Sequence, residues 1–197
     1  METTGNPWTL LSKAVKYDNN WIQVTEHQVL NPAGNPGIYG VVHFKNIAIG
    51  IVALDETQHI YLVGQYRFPL NEYSWEVPEG GAPVGTLPLD SAKRELLEET
   101  GLVAEQWTMI QRMHLSNSVS DEDCYIFLAR GLTQHEAEPE ETEQLHVKKL
   151  PFEQVYEMVN SGAITDAISV AAVLKIKLLL LEEKQENGSS TSNHLTI

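Results

Sequence analysis

An α/β domain preceded by a small antiparallel β unit is the fold class this sequence predicts. Three observations carry the prediction. Short apolar runs of strand character, bounded by Gly, Pro and Asn, recur along residues 21–66 and 107–150. Segments of helical character lie among and after them, at 89–100, 152–160 and 166–183. At 197 residues the chain is about the size of one domain plus an appendage.

The elements follow in order. Residues 21–29 open with an alternation of apolar and polar residues (Trp21, Ile22, Gln23, Val24, Thr25, Glu26), which reads as a strand. The breaker-rich run 31–37 is a turn, and 38–45 returns as a second strand, so residues 8–45 form a small antiparallel unit. Strands at 47–54 and 60–66 follow, joined by the polar turn 55–58. Residues 71–88, rich in Gly and Pro, are expected to be irregular. The helix at 89–100 has Pro88 in its first turn and Gly101 just past its end. Further strands are expected at 107–115, 125–129 and 145–150, with a polar loop at 116–123 and an acidic loop at 135–144. A helix at 152–160 stops at Gly162, and another runs from 166 to about 183. Strands interleaved with helices imply layers of helix on sheet. The boundaries expected are a β unit at 1–45, a main domain at 46–184 and a polar, disordered tail at 185–197.

Composition excludes several classes. The chain is 42% apolar and 20% charged, too apolar for a disordered protein. Its net charge of -14 argues against non-specific nucleic-acid binding, which depends on cations meeting phosphates. Cys124 is the single cysteine, which excludes an intramolecular disulfide and fits a reducing compartment. The N-terminus lacks the apolar core of a signal peptide. The longest apolar stretch, 167–181, is interrupted by Lys175 and Lys177 and is too short to cross a bilayer. A soluble cytoplasmic protein is expected.

The chemistry concentrates in residues 79–102. On a helix, Glu95 and Glu99 stack one turn apart, with Glu98 beside them. Leu89, Ala92 and Leu96 form the apolar stripe, which places both carboxylates at its edge, partly sheltered. Like charges at this spacing cost a helix about 0.2–0.5 kcal/mol in water and more with burial. They also lie toward the C-terminal end, where the helix dipole disfavours anions. A hard dication coordinated by carboxylate oxygens would offset all of these costs. The Gly-rich loop before the helix lets backbone groups approach a metal or a diphosphate. Isolated glutamate pairs are usually a solvated face; the loop is what distinguishes this one.

Gly80, Thr86 and the run Arg94-Glu95-Leu96-Leu97-Glu98-Glu99-Thr100-Gly101-Leu102 resemble the Nudix box, GX5EX7REUXEEXGU with U aliphatic. Every fixed position and both spacings match except the first Glu, which is Thr86. The flanks Gln65-Tyr66-Arg67 and Trp75-Glu76-Val77-Pro78-Glu79, with the acidic loop before Leu145, resemble the ADP-ribose pyrophosphatase branch.

The resemblance implies a Nudix-type α/β/α sandwich with the box as loop, helix and loop. By motif position, Glu95 and Glu99 are the principal metal ligands, and the Glu79 backbone carbonyl is another. Glu98 is a ligand or outer-shell acceptor, and Arg94 orients the carboxylates. In this branch a glutamate of a separate loop acts as base; Glu141 is assigned that role and Glu143 an additional metal contact, with the reverse order open. The oxygen-only donor set favours Mg²⁺, with Mn²⁺ as substitute.

Arg67 pairs with a phosphate or forms a surface ion pair. Glu76 accepts from a ribose or an amine, or is structural. Trp21 stacks on the base or serves as core or interface. Ser118 lies in the loop that in this branch contacts the terminal sugar, or in a plain turn. A Glu at the position of Thr86 normally supports the ligand cluster from outside; Thr86 can instead cap the helix, and weaker metal binding is the possible cost.

The implied activity is Mg²⁺-dependent hydrolysis of ADP-ribose to AMP and ribose 5-phosphate. The partner is a small nucleotide-sugar substrate, with no nucleic acid and no membrane, and the implied assembly is a homodimer with the site shared. Two alternatives are another nucleotide-sugar diphosphate such as GDP-mannose, and a catalytically impaired nucleotide-binding module.

Overall fold

The computed structural model describes residues 5–137 and 145–191, with the side chains of the last helix described as far as residue 185. Strands β1 (Thr9–Asp18), β2 (Ile22–Leu30) and β3 (Pro36–Phe44) form an antiparallel sheet in sequence order. A second antiparallel sheet runs β10 (His146–Pro151), β5 (His59–Arg67), β6 (Glu72–Glu76). A third, mixed sheet runs β7 (Glu79–Pro83), β4 (Asn46–Ala53), β9 (Asp123–Gln134), β8 (Leu102–His114), with β4 and β9 parallel. Helices α1 (Pro88–Thr100), α2 (Phe152–Asn160) and α3 (Ala167–Thr191) cover these sheets.

The α/β/α layering follows from the central strands. Along β4, Ile49, Ile51 and Ala53 join Ala92 and Leu96 of α1 in one buried cluster, while Val52 and the following Leu54 join a second cluster. That second cluster contains Phe152 and Val155 of α2 and Ile168, Ala172, Val173 and Ile176 of α3. Strand β9 divides in the same way, with Phe127 and Ala129 toward α1 and Cys124, Ile126 and Leu128 toward the other helices. A strand buried on both faces reads as an unbroken apolar run, as residues 47–54 do.

Helix α1 begins at Pro88 and ends where Gly101 turns left-handed (φ 71°), its N–H donating to Leu97 O. The structure departs from the sequence expectation in four places. Strand β1 is not marked by alternation, because all ten of its residues are exposed and register shifts at Leu10/Ser12 and Val15/Tyr17 break the period of two. Residues 71–88, expected to be irregular, contain β6 and β7. The Glu-Gly-Gly-Ala-Pro of β7 has no strand propensity and is held by pairing with β4. Strand β8 starts directly after Gly101, with a bulge between Met109 and Gln111. Helix α3 continues to Thr191, through the first part of the segment expected to be a disordered tail. No helix among the described residues is long and apolar enough to cross a membrane.

Asp55 ties the β4–β5 turn to β10. Its Oδ1 accepts from the N–H groups of Thr57 (2.9 Å) and His59 (2.8 Å), and its Oδ2 pairs with Lys149 at 2.6 Å. Burial pulls its pKa up, but Lys149 and these donors outweigh burial and hold it well below the usual carboxylate range. Its stabilisation is therefore complete above the unfolded value of about 3.9 and is lost as pH falls below it toward the folded value. The stability gap between wild type and Asp55→Asn should narrow as pH drops from about 5 to 3, read by urea unfolding. A gap that does not change with pH would contradict this.

Candidate active site

The site forms where α1 lies across β7. The two carboxylates one turn apart on α1 are each held by a β7 amide: Gly81 N–H donates to Glu95 Oε1 at 3.2 Å, and Glu79 N–H donates to Glu99 Oε2 at 3.0 Å. Glu99 is only 4% exposed. Burial raises the Glu95 pKa, opposed by Arg94 and by the Gly81 amide. The Arg94 fork joins three groups: Nη2 donates to Glu95 Oε1 (2.6 Å) and Gly81 O (3.2 Å), and Nη1 donates to Glu98 Oε2 (2.5 Å). Gly80 lies against Glu95 so closely that a Cβ there would occupy the space of the carboxylate.

An open cleft of about 1070 Å³ spreads in front of this corner. Trp21 and Phe44 come to it from the N-terminal unit, Gln65 and Arg67 from β5, Glu122 from the β8–β9 loop and Asp166 from the segment before α3. Arg67 directs its fork to Glu76, which is 2% exposed, with Nε–Oε1 at 3.0 Å and Nη2–Oε2 at 2.5 Å. Its Nη2 also lies 3.9 Å from Glu79 Oε2. Burial and the neighbouring Asp166 push the Glu79 carboxyl well above its ordinary range, while Arg67 pulls it down.

Residues 44–171 match the NUDIX domain, and residues 8–42 match the nucleoside diphosphate sugar hydrolase N-terminal domain. The chain belongs to the Nudix family. It is a Nudix hydrolase of the ADP-ribose pyrophosphatase-like branch. It is 35% identical over 154 residues to an ADP-ribose pyrophosphatase of Mycobacterium tuberculosis, covering 76% of this chain and 73% of that one. It is 32% identical over 133 residues to an ADP-ribose pyrophosphatase of Bacillus subtilis, covering 66% and 72%. The crystal structure of an ADP compounds hydrolase shares the fold, with a TM-score of 0.82 at 20% identity over 92% of this chain and 98% of that one.

Within this Nudix hydrolase, Trp21, Arg67, Glu79, Arg94 and Glu95 line one cleft. Glu99 lies beneath it, clamped to the Glu79 amide, and Glu98 lies on the outer side of Arg94. Glu76 stands behind Arg67. Ser118 is not brought to the cleft: its carbonyl accepts from Tyr39 Oη at 2.7 Å, in a loop docked on β3 through Val42 N–H and Val119 O. Glu122, further along the same connection, lines the cleft instead. Glu141 and Glu143 lie outside the described residues. Thr86 does not cap α1: its Oγ1 donates to Pro83 O at 2.7 Å, closing the turn, and the cap position is Leu87 with no side-chain bond.

Sequence reading missed Asp166 and Ser169, and from the loop 116–123 it picked Ser118 where the structure brings Glu122 to the cleft. Asp166 and Ser169 have the spacing of a helix cap, and Ser169 N–H does donate to Asp166 Oδ2 at 2.8 Å. Only the tertiary fold brings that cap to the cleft.

Among the described residues no three His, Cys, Asp or Glu side chains converge as a metal cage. Glu95 and Glu99, each anchored to β7 through a backbone amide, nevertheless present carboxylate oxygens as the only donors. The space left by the missing Gly80 Cβ brings a carboxylate against the backbone. Such a set fits a hard dication rather than a thiophilic metal.

Proposed function

We propose that this Nudix hydrolase cleaves the diphosphate of ADP-ribose to AMP and ribose 5-phosphate, using Mg²⁺ with Mn²⁺ as substitute, as a cytoplasmic homodimer. The observation that carries the reading is the pair of box glutamates, each clamped by a β7 amide, Glu95 at the wall of the cleft and Glu99 beneath it. The two ADP-ribose pyrophosphatase relatives support the choice of substrate.

Glu95 and Glu99, with the Glu79 carbonyl, would hold the metal. Arg94 fixes Glu95 and Glu98 against their mutual repulsion. A dication held there would supply activation of the attacking water and screening of charge on the leaving phosphate. Glu141 takes the proton of the attacking water and Glu143 adds a further carboxylate. Arg67, braced by Glu76, faces a phosphate through what its ion pair leaves free. Trp21, 66% exposed at the cleft, stacks on the adenine. Residues 1–45 form the dimerisation unit and residues 46–184 the hydrolase domain. The exposed Leu10, Leu11, Val15, Tyr17 and Ile38 of the N-terminal sheet support burial against a second copy.

A hydrolysis panel of ADP-ribose, GDP-mannose and related nucleotide sugars with Mg²⁺, ranked by kcat/KM, tests this reading. ADP-ribose should rank first, yielding equal AMP and ribose 5-phosphate. GDP-mannose ranked first would overturn the substrate assignment. ADP-ribose binding without turnover in either Mg²⁺ or Mn²⁺ would overturn the enzymatic reading in favour of a binding module.

A further inference from the structure

Ser169, the third residue of α3, is wholly buried. Its hydroxyl is engaged in both directions, accepting the Val77 N–H at 2.9 Å and donating to Glu79 Oε1 at 3.1 Å. These two residues bracket Pro78, which has no N–H and whose carbonyl accepts from Ile51 N–H at 2.8 Å. The Glu79 N–H continues the chain of bonds to Glu99 Oε2 at 3.0 Å. One buried hydroxyl thus holds both sides of the link from which Glu99 receives its amide.

We propose that Ser169 is a positioning residue of the metal site: through Val77 and Glu79 it fixes the peptide that aims Glu99, and so sets the affinity for a divalent cation. The inference rests on the metal-dependent reading above. A hydroxyl that only joined a helix to a sheet would be served by the bond to Val77. The second bond goes to a carboxylate on the cleft wall, whose other oxygen lies 3.9 Å from Arg67 Nη2. Losing a direct outer partner of a metal-holding side chain weakens affinity about 10–100-fold; Ser169 acts one residue further out, through the Glu79 peptide, so the low end of that range is the expected effect.

Titration of Mn²⁺ into substrate-free protein, with free Mn²⁺ followed by electron paramagnetic resonance, tests the role. Val173→Ala is the control, because Val173 is wholly buried in the same helix but belongs to the core rather than to the cleft wall. Both Ser169→Ala and Val173→Ala should lower the Tm of the metal-free protein. Only Ser169→Ala should raise the half-saturating Mn²⁺, by about tenfold. Ser169→Cys, with a weak donor and acceptor in the same place, should fall between wild type and Ser169→Ala, and it serves if the alanine variant does not fold. Ser169→Ala binding Mn²⁺ as wild type does, or Val173→Ala weakening it equally, would overturn the inference. A wild-type protein that binds no Mn²⁺ would instead overturn the metal-dependent reading beneath it.

Discussion

Glu99→Gln should lower kcat on ADP-ribose by about 10³-fold while leaving the Tm of the metal-free protein close to wild type. The activity figure corresponds to about 4 kcal/mol of transition-state stabilisation, at about 1.4 kcal/mol per factor of ten. Stability is spared because glutamine keeps the volume and one carbonyl oxygen, which can still accept the Glu79 N–H. The substitution also removes a negative charge from the last turn of α1, where the dipole disfavours it and the turn itself carries no basic residue. With Glu95 one turn away, relief of like-charge repulsion is worth about 0.2–0.5 kcal/mol in favour of the variant. Calorimetry on metal-free protein and steady-state rates with Mg²⁺ read the two quantities separately. A fully active variant would remove Glu99 from the metal site. An inactive variant with a sharply lowered Tm would mean that Glu99 serves the fold.

The same separation of stability from function explains what could be read in the sequence. The helix at 89–100 was legible because its stop signal and apolar stripe are local: Gly101 adopts the left-handed conformation, and Ala92 and Leu96 are buried. The carboxylates were legible as a violation of that local pattern. The loop before the helix was not legible as a strand, because β7 takes its shape from the register Ile49↔Gly80 and Gly50↔Glu79, not from its own residues. Strand β1 was invisible for the opposite reason: wholly exposed, it shows no inside and outside. Arg67 was expected to meet either a phosphate or an acidic neighbour. The structure gives it Glu76, since residues nine apart become close only once β5 and β6 pair. Asp166 and Glu122 reach the cleft from loops, between α2 and α3 and between β8 and β9, whose course no periodicity reports.

Gly80→Ala is the sharper test of the site, because it places a methyl group where the Glu95 carboxylate lies. Gly80 is not among the glycines with positive φ, so alanine meets no backbone penalty there. The overlap is with Cγ, Cδ and Oε1 of Glu95, the movable end of a side chain rather than backbone. Glu95 therefore swings away, giving up the Gly81 amide and the Arg94 fork. Losing those two bonds costs about 2 kcal/mol, against about 0.4–1 kcal/mol recovered from the reduced freedom of the unfolded chain, so stability falls by about 1 kcal/mol, far less than activity does. Activity should fall by about 10²–10³-fold, as for loss of one electrostatic contact to the reacting centre. Because the methyl group acts only through Glu95, its effect should vanish when that carboxylate is already absent. In a double-mutant cycle, Gly80→Ala added to Glu95→Gln should cost little beyond Glu95→Gln alone. Additive losses would mean that Gly80 serves the reaction through its own backbone, by close approach of the peptide to the diphosphate, and the carboxylate cradle would then be the wrong account of why no side chain is tolerated there.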